Sequence, residues 1–198
     1  NGTIFVYNGE IYNKNELCQE LEKLGCETRH TDSDTWIFYE LINKIGVKSA
    51  TKKAKGMFSF VYANTNNDEI YFARDPFGQK PLYYYLSGSK FAAASSIKSL
   101  IDTNQIDGTI DTAYINDYIV SEGNTSPERT FIKQIKKALP GVLYKLKLQN
   151  LISEKYIDLN SKIIDCAEQP QQQTDIEEAL SISLKQHLLS DVPVGLAL

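Results

Sequence analysis

Cysteine and histidine are scarce in this chain. Cys18, Cys26 and Cys166 are its three cysteines, and His30 and His187 its two histidines. An odd number of thiols, at spacings that match no metal motif, argues against a disulfide framework and against a zinc site. The usage suits a reducing, cytoplasmic compartment. An excess of positive charge is also missing: 21 Lys and Arg stand against 25 Asp and Glu, a formal net charge of −4. No basic run occurs and aromatics are not interleaved with bases, so the footprint of a nucleic-acid binder is lacking. No apolar run approaches the length of a membrane span. An initiator Met is absent as well. The chain opens on Asn1 among strand-forming residues and closes within the apolar run DVPVGLAL. A segment of a longer protein is the expectation.

What is present is an ordinary globular composition, 42% hydrophobic and 23% charged over 198 residues. That is enough for one good core, or for one domain and part of another. Residues 3–7 (TIFVY) read as a buried strand. Asn13 or Asn15 can cap a helix that carries Leu17, Leu21 and Leu24 and stops at Gly25. Glu16, three residues after Asn13, suggests a capping box. A second helix starts near Ser33-Asp34, runs through Trp36, Ile37, Leu41 and Ile45, and stops at Gly46. The period then changes to strands at 57–63, 69–75, 81–86 and 90–96, separated by turn-rich breaks, which predicts an antiparallel meander. Ser95 or Ser96 can cap a short helix to Asp102, and 112–120 reads as another helix. Residues 140–148 and 152–159 predict a closing pair of strands. Residues 160–173, polar with a Pro and three Gln, read as a linker. A capped helix follows over 174–190, with Ile176, Leu180, Leu184 and Leu188 on one face, then a buried strand to Leu198.

Several constellations invite a chemical reading. In FVYNGEIYN (5–13) a strand runs into Asn8-Gly9-Glu10, and Asn-Gly is by itself a good turn dipeptide. Asp34 stands at a helix N-terminus, where acids favour the dipole and Ser33 or Asp32 can cap. ARDPFGQKP (73–81) lacks the glycine pattern and Lys-Ser/Thr ending of a phosphate loop. Pro76-Phe77-Gly78 reads instead as a hairpin turn, with Arg74 and Asp75 as an ion pair or turn anchors. Tyr83–Tyr85 reads as sheet packing. Cys18 and Cys26 sit in and just after the first helix and Cys166 in the linker, where thiols serve as small buried hydrophobes.

Taken in order, YNGEIYN (7–13), SDT (33–35), GMFSF (56–60), FARDPFGQKPLYY (72–84), SSIKSL (95–100), LPG (139–141) and HLLSDVPVG (187–195) resemble the class II glutamine amidotransferases of the asparagine synthetase type. The resemblance runs almost end to end. It implies an α+β fold: an incomplete αββα four-layer sandwich of the N-terminal nucleophile hydrolase type over 1–159. After the linker, 174–198 would open an α/β ATP-pyrophosphatase domain. In the complete protein, glutamine hydrolysis would supply ammonia, and ATP with Mg would activate aspartate for amidation to asparagine. Glutamine, aspartate and ATP are the implied small-molecule partners, a homodimer is left open, and no cofactor is expected on this segment.

The same resemblance assigns the Asn8 side chain and the Gly9 N–H to an oxyanion hole. An Asn amide donates without changing charge, and a residue lacking Cβ lets its backbone approach closely. Glu10 and Asp34 would hold the α-ammonium of glutamine, a sound pairing in a partly desolvated pocket. The family nucleophile is the first residue of the mature chain, a Cys activated by its own amine. Residue 1 here is Asn, so this segment alone is expected to be inactive, and the substrate-carboxylate Arg is expected ahead of it too. A Ser-Gly-Gly-x-Asp-Ser loop for ATP would follow Leu198. Ser96 stands where the family often has an acid, which weakens a charge partner for Lys98. Two alternatives stay open: a relative that forms a different amide in secondary-metabolite or surface-polysaccharide synthesis, and a non-catalytic scaffold with a degenerate fold.

Overall fold

A computed structural model describes residues 2–28, 33–103, 105–123, 126–159, 173–188 and 195. Strand β1 (Thr3–Ile11) is followed by helices α1 (Lys14–Lys23), α2 (Asp34–Ile45) and α3 (Val47–Lys53). Then come β2 (Gly56–Asn64), β3 (Glu69–Arg74), β4 (Tyr83–Ser87), β5 (Lys90–Ala94), α4 (Ile97–Ile101), α5 (Thr112–Val120), β6 (Ile135–Lys137), β7 (Val142–Lys147), β8 (Asn150–Lys155) and α6 (Gln173–His187). The strands form two antiparallel sheets, one of order β1-β2-β3-β7-β8 and one of order β5-β4-β6.

The alternation of side chains along single strands shows how the layers stack. On β3, Ala73 joins Leu17, Leu21, Ile37, Phe38, Leu41 and Phe60 in the core beneath α1, α2 and α3. Its neighbour Phe72 points the other way and meets Tyr84 of the second sheet and Tyr144 of β7. Phe72 and Tyr144 stack with ring centroids 4.7 Å apart, an offset-stacked geometry that adds to area burial. On β4, Tyr84 faces this inter-sheet core while Tyr85 faces Leu100 of α4 and Ile135 of β6. The layers are therefore helix, sheet, sheet, helix. Phe38, fully buried at the centre of the first layer, contributes on the order of 2–3 kcal/mol by burial alone.

Most local expectations hold. Ser33 caps α2 by accepting from the Trp36 N–H at 3.3 Å, and Ser96 caps α4 by accepting from Ser99 N–H at 3.1 Å. The exceptions have physical causes. Asn13 does not cap α1 with its side chain. Its amide donates to Lys53 O and Glu16 Oε2, each at 3.0 Å, and its Oδ1 accepts from Lys55 N–H at 2.8 Å. Asn13 thus pins α1 to the approach of β2, and the expected capping box is not formed. Leu24, expected on the buried face, is exposed because α1 ends before it. Lys98 finds a partner one turn along its own helix, Asp102 at 2.5 Å.

The predicted meander is really two hairpins in two sheets: β2-β3 in the first and β4-β5 in the second. Residues 75–82 are not a hairpin turn but the crossing between sheets. Arg74 and Asp75 anchor it through backbone groups rather than through each other. The Arg74 guanidinium donates to Lys80 O at 2.8 Å, to Ala138 O at 2.9 Å and to Gly78 O. Asp75, fully buried, accepts from the N–H groups of Phe77, Gln79 and Lys80, each at 3.0 Å. Burial holds the Arg74 guanidinium below its ordinary pKa.

On β1 the two faces differ. Phe5 and Tyr7 pack toward the helices, whereas Ile4 and Val6 on the other face are 57% and 60% exposed, since the second sheet has three strands against five. Residues 160–172 of the expected linker lie outside the described residues, as do Cys166, Asp32 and nearly all of the expected final strand, whereas Gln173, expected as the last linker residue, is the first residue of α6.

Asp75→Ala strands three backbone donors in a buried corner. It is expected to lower unfolding stability by about 3 kcal/mol or more, with Asp75→Asn losing less because one acceptor oxygen remains. Urea denaturation of both variants measures this; an Asp75→Ala midpoint equal to wild type would contradict the anchoring role.

Candidate functional site

Asn8 and Gly9 do not form a turn. They lie inside β1, opposite Ser59 and Phe58 of β2. The residues before them are β-branched and aromatic, which suits a pleated surface. Gly9 is then required by contact. A Cβ built on it would stand 2.2 Å from Met57 O and 2.6 Å from Phe58 Cα, and its φ is +154°. Both obstacles are backbone, so no rotamer relieves them. Gly56, which pairs with Ile11, mirrors it: a Cβ there would meet Glu10 O at 2.1 Å.

The Asn8 amide nitrogen donates to Ser95 Oγ at 3.0 Å. Ser95 lies between β5 and α4, so this bond joins the outer strand of one sheet to the outer strand of the other. Beside it, Ser59 is buried and donates to Pro81 O at 3.1 Å, holding the end of the sheet crossing against β2.

Asp34 is placed by the first turn of α2 against the end of β1. Its Oδ2 accepts from the Ile11 N–H at 3.0 Å and from the Tyr7 hydroxyl at 3.2 Å. Its Oδ1 accepts from the Thr35 N–H at 2.6 Å. Asp34 is therefore a bracket between α2 and β1 as well as a half-buried negative charge. The Tyr7 hydroxyl is pushed far above its ordinary pKa, first by burial, then by the Asp34 carboxylate and their hydrogen bond, with Glu10 adding to it. Tyr7 thus stays a neutral donor throughout the working pH range. Glu10 immediately precedes Ile11, whose N–H Asp34 accepts, so the two acidic residues flank the end of β1.

Tyr12 continues the corner. Its hydroxyl is buried without a hydrogen-bond partner among the described residues, and its pKa is raised by burial, then by Glu10 and Asp75. Its ring lies 5.0 Å from that of His187, whose Nε2 is 3.4 Å from Gln79 Oε1. The last turn of α6 thus reaches the same corner. Asn8, Gly9 and Glu10 follow one another on β1, and Asp34 bonds the N–H of the next residue, Ile11, and the Tyr7 hydroxyl on the helix side, whereas Asn8 bonds Ser95 on the side of the second sheet. Tyr7, Ser59 and Ser95 are added to these by the structure; all three lie in motifs named from the sequence, and Ser95 as a candidate helix cap, but no local pattern announced their partners.

The two described thiols lie elsewhere. Cys18 and Cys26 are half-buried against the core under the helices, whereas Asn8 reaches toward the second sheet. A surface cavity of about 450 Å³ around the α2–α3 junction, lined by Val47, Lys48, Tyr71 and Glu154 among others, includes none of the corner residues.

A family model described as a glutamine amidotransferase domain matches residues 1–157. The chain belongs to the glutamine amidotransferase domain family. The chain is 36% identical over 191 residues to asparagine synthetase (glutamine-hydrolysing) 1 of Bacillus subtilis strain 168, covering 96% of this chain and 29% of that protein. It is 39% identical over 103 residues to a putative asparagine synthetase (glutamine-hydrolysing) 2 of Methanocaldococcus jannaschii, covering 52% of this chain and 19% of that one. The chain thus spans less than a third of the length of these relatives. Among solved structures, the glutamine phosphoribosylpyrophosphate amidotransferase of B. subtilis, in complex with ADP and GMP, matches with TM-score 0.53 at 22% identity, over 78% of this chain and 29% of that one. The chain thus shares the fold of that amidotransferase, mixed α and β with antiparallel sheets. No helix among the described residues is long and apolar enough to cross a membrane.

Gly9→Ala in this amidotransferase domain is expected to cost about 3 kcal/mol or to prevent folding, because the clash is with backbone. Gly88→Ala, also at positive φ but with nothing within 4 Å of its Cβ, is expected to cost only about 1 kcal/mol. Thermal unfolding of both variants tests the difference; equal losses would remove close approach as the reason for glycine at position 9.

Proposed function

We propose that the corner at the end of β1 hydrolyses the side-chain amide of glutamine and that the complete protein is a glutamine-hydrolysing asparagine synthase. The observation that carries this is the run Asn8-Gly9-Glu10 on β1 with Asp34 hydrogen-bonded to the N–H of the next residue, Ile11. Family membership and the names of the relatives support the same chemistry.

The Asn8 amide and the Gly9 N–H would receive the oxygen of the substrate carbonyl as a thiolate adds to its carbon. The C=O π pair moves onto oxygen, and donors fixed where that charge develops stabilise the transition state more than the ground state. Collapse of the tetrahedral species expels ammonia once its nitrogen has been protonated, and water then releases glutamate from the thioester. Glu10 and Asp34 would hold the α-ammonium. The nucleophile in this proposal is a Cys ahead of Asn1. ATP, Mg and aspartate belong to the part of the complete protein after residue 173. The contact of His187 with Tyr12 and Gln79 then connects the start of that part with the glutaminase corner. The setting is cytoplasmic, where thiols outside disulfides, such as those of Cys18 and Cys26, persist.

Glutamate release by the complete gene product tests the proposal. Asn8→Ala is expected to lower kcat about 10²–10³-fold, the loss of one oxyanion donor. Glu10→Gln is expected to raise KM for glutamine with a smaller change in kcat. Asp34→Asn is expected to raise KM and also lower stability, because its carboxylate brackets Ile11 and Tyr7. An Asn8→Ala variant with wild-type kcat would refute the oxyanion role.

A further inference from the structure

We propose that Ser95 is a positioning residue that holds the oxyanion-hole amide of Asn8 in its working pose; this rests on the glutaminase proposed above. A primary amide has two N–H donors. One Asn8 N–H is taken by Ser95 Oγ at 3.0 Å, which leaves the other for an oxyanion. The torsion that turns an Asn amide is broad and weakly restrained by its own covalent structure. A fixed acceptor on one N–H converts that rotation into a defined direction for the second. Such preorganisation is what makes a donor effective in the transition state rather than merely present.

The placement of Ser95 fits this task. It follows β5, the outer strand of the second sheet, and precedes α4. Its neighbour Ser96 caps the helix through Ser99 N–H and also contacts Ser99 Oγ at 2.8 Å. The cap is therefore provided without Ser95, whose side chain reaches across to a residue 87 positions earlier. Two adjacent serines thus divide the work: Ser96 ends the loop, and Ser95 links the sheets at the site. The pose of the amide depends on the spacing of the two sheets, because its partner belongs to the opposite one.

The test is a double-mutant cycle on glutamate release by the complete gene product, with Ser96→Ala as control. Ser95→Ala is expected to lower kcat about 10- to 100-fold with KM for glutamine nearly unchanged. Ser95→Thr, which keeps the hydroxyl, is expected to restore most of it. In an Asn8→Ala background Ser95→Ala is expected to have no further effect, since the amide it orients is gone. Ser96→Ala is expected to lower Tm without this loss of kcat. Wild-type kcat in Ser95→Ala, or an equal loss with and without the Asn8 amide, would overturn the positioning role while leaving the glutaminase proposal intact. Wild-type kcat in Asn8→Ala would overturn both.

Discussion

Strands β1 and β2 approach each other at their site end more closely than side chains allow. The carbonyl oxygens of Met57 and Glu10 stand 2.2 and 2.1 Å from where Cβ atoms of Gly9 and Gly56 would lie. Two glycines at φ +154°, one on each strand, make this possible, and residues with a Cβ at either position would push the strands apart. What depends on the approach is the position of everything downstream on β1. Asn8, Glu10 and the Ile11 N–H occupy their places only if the strand stays paired through Ile11↔Gly56. Asp34 then has its backbone donor and Ser95 its amide.

Around this contact the structure places polar side chains against backbone groups at the ends of elements. Asp34 bridges the start of α2 to the end of β1. Asn13 bridges the start of α1 to residues 53–55, and Arg74 with Asp75 secures the passage between sheets. Buried polar groups are costly unless satisfied, and satisfied ones define a unique arrangement. Each bracket lies within a few residues of the candidate site. The apolar layers provide the bulk of the stability, while these few polar contacts decide where the ends of the strands sit. Tyr7 shows the two contributions in one residue: its ring packs against Phe38, and its hydroxyl donates to Asp34.

Helix α2 was legible in the sequence because every local signal agreed: a Ser33 cap, the apolar spacing of Ile37, Leu41 and Ile45, and Gly46 as the stop. α5 was equally plain. α3 was missed because VKSATKK is short and polar, and its three buried residues, Val47, Ala50 and Thr51, are buried by tertiary packing. β6 was missed because a three-residue strand is defined only by its pairing with β4, some fifty positions away. The four strands of the supposed meander were found with nearly correct bounds, but their distribution between two sheets was not. Turn residues such as Pro76 and Gly78 mark a change of direction without saying which sheet comes next, and the Arg74–Ala138 bond that helps decide it is remote in sequence. The site divides along the same line. Asn8, Gly9, Glu10 and Asp34 were visible because they lie in compact motifs. The bond to Ser95 and the bracket from Asp34 to Ile11 join distant segments, and no single stretch encodes them.

The central claim is that the Asn8 corner is complementary to a transition state and not merely to a bound amide. An aldehyde analogue of glutamine, which a thiolate converts to a tetrahedral adduct, probes this directly. Its inhibition constant would be compared with the KM for glutamine in the complete wild-type protein and in Asn8→Ala. Loss of about 100-fold or more in affinity for the aldehyde, with KM for glutamine within about threefold of wild type, is the predicted result. Equal effects on both ligands, or no effect on the aldehyde, would contradict it.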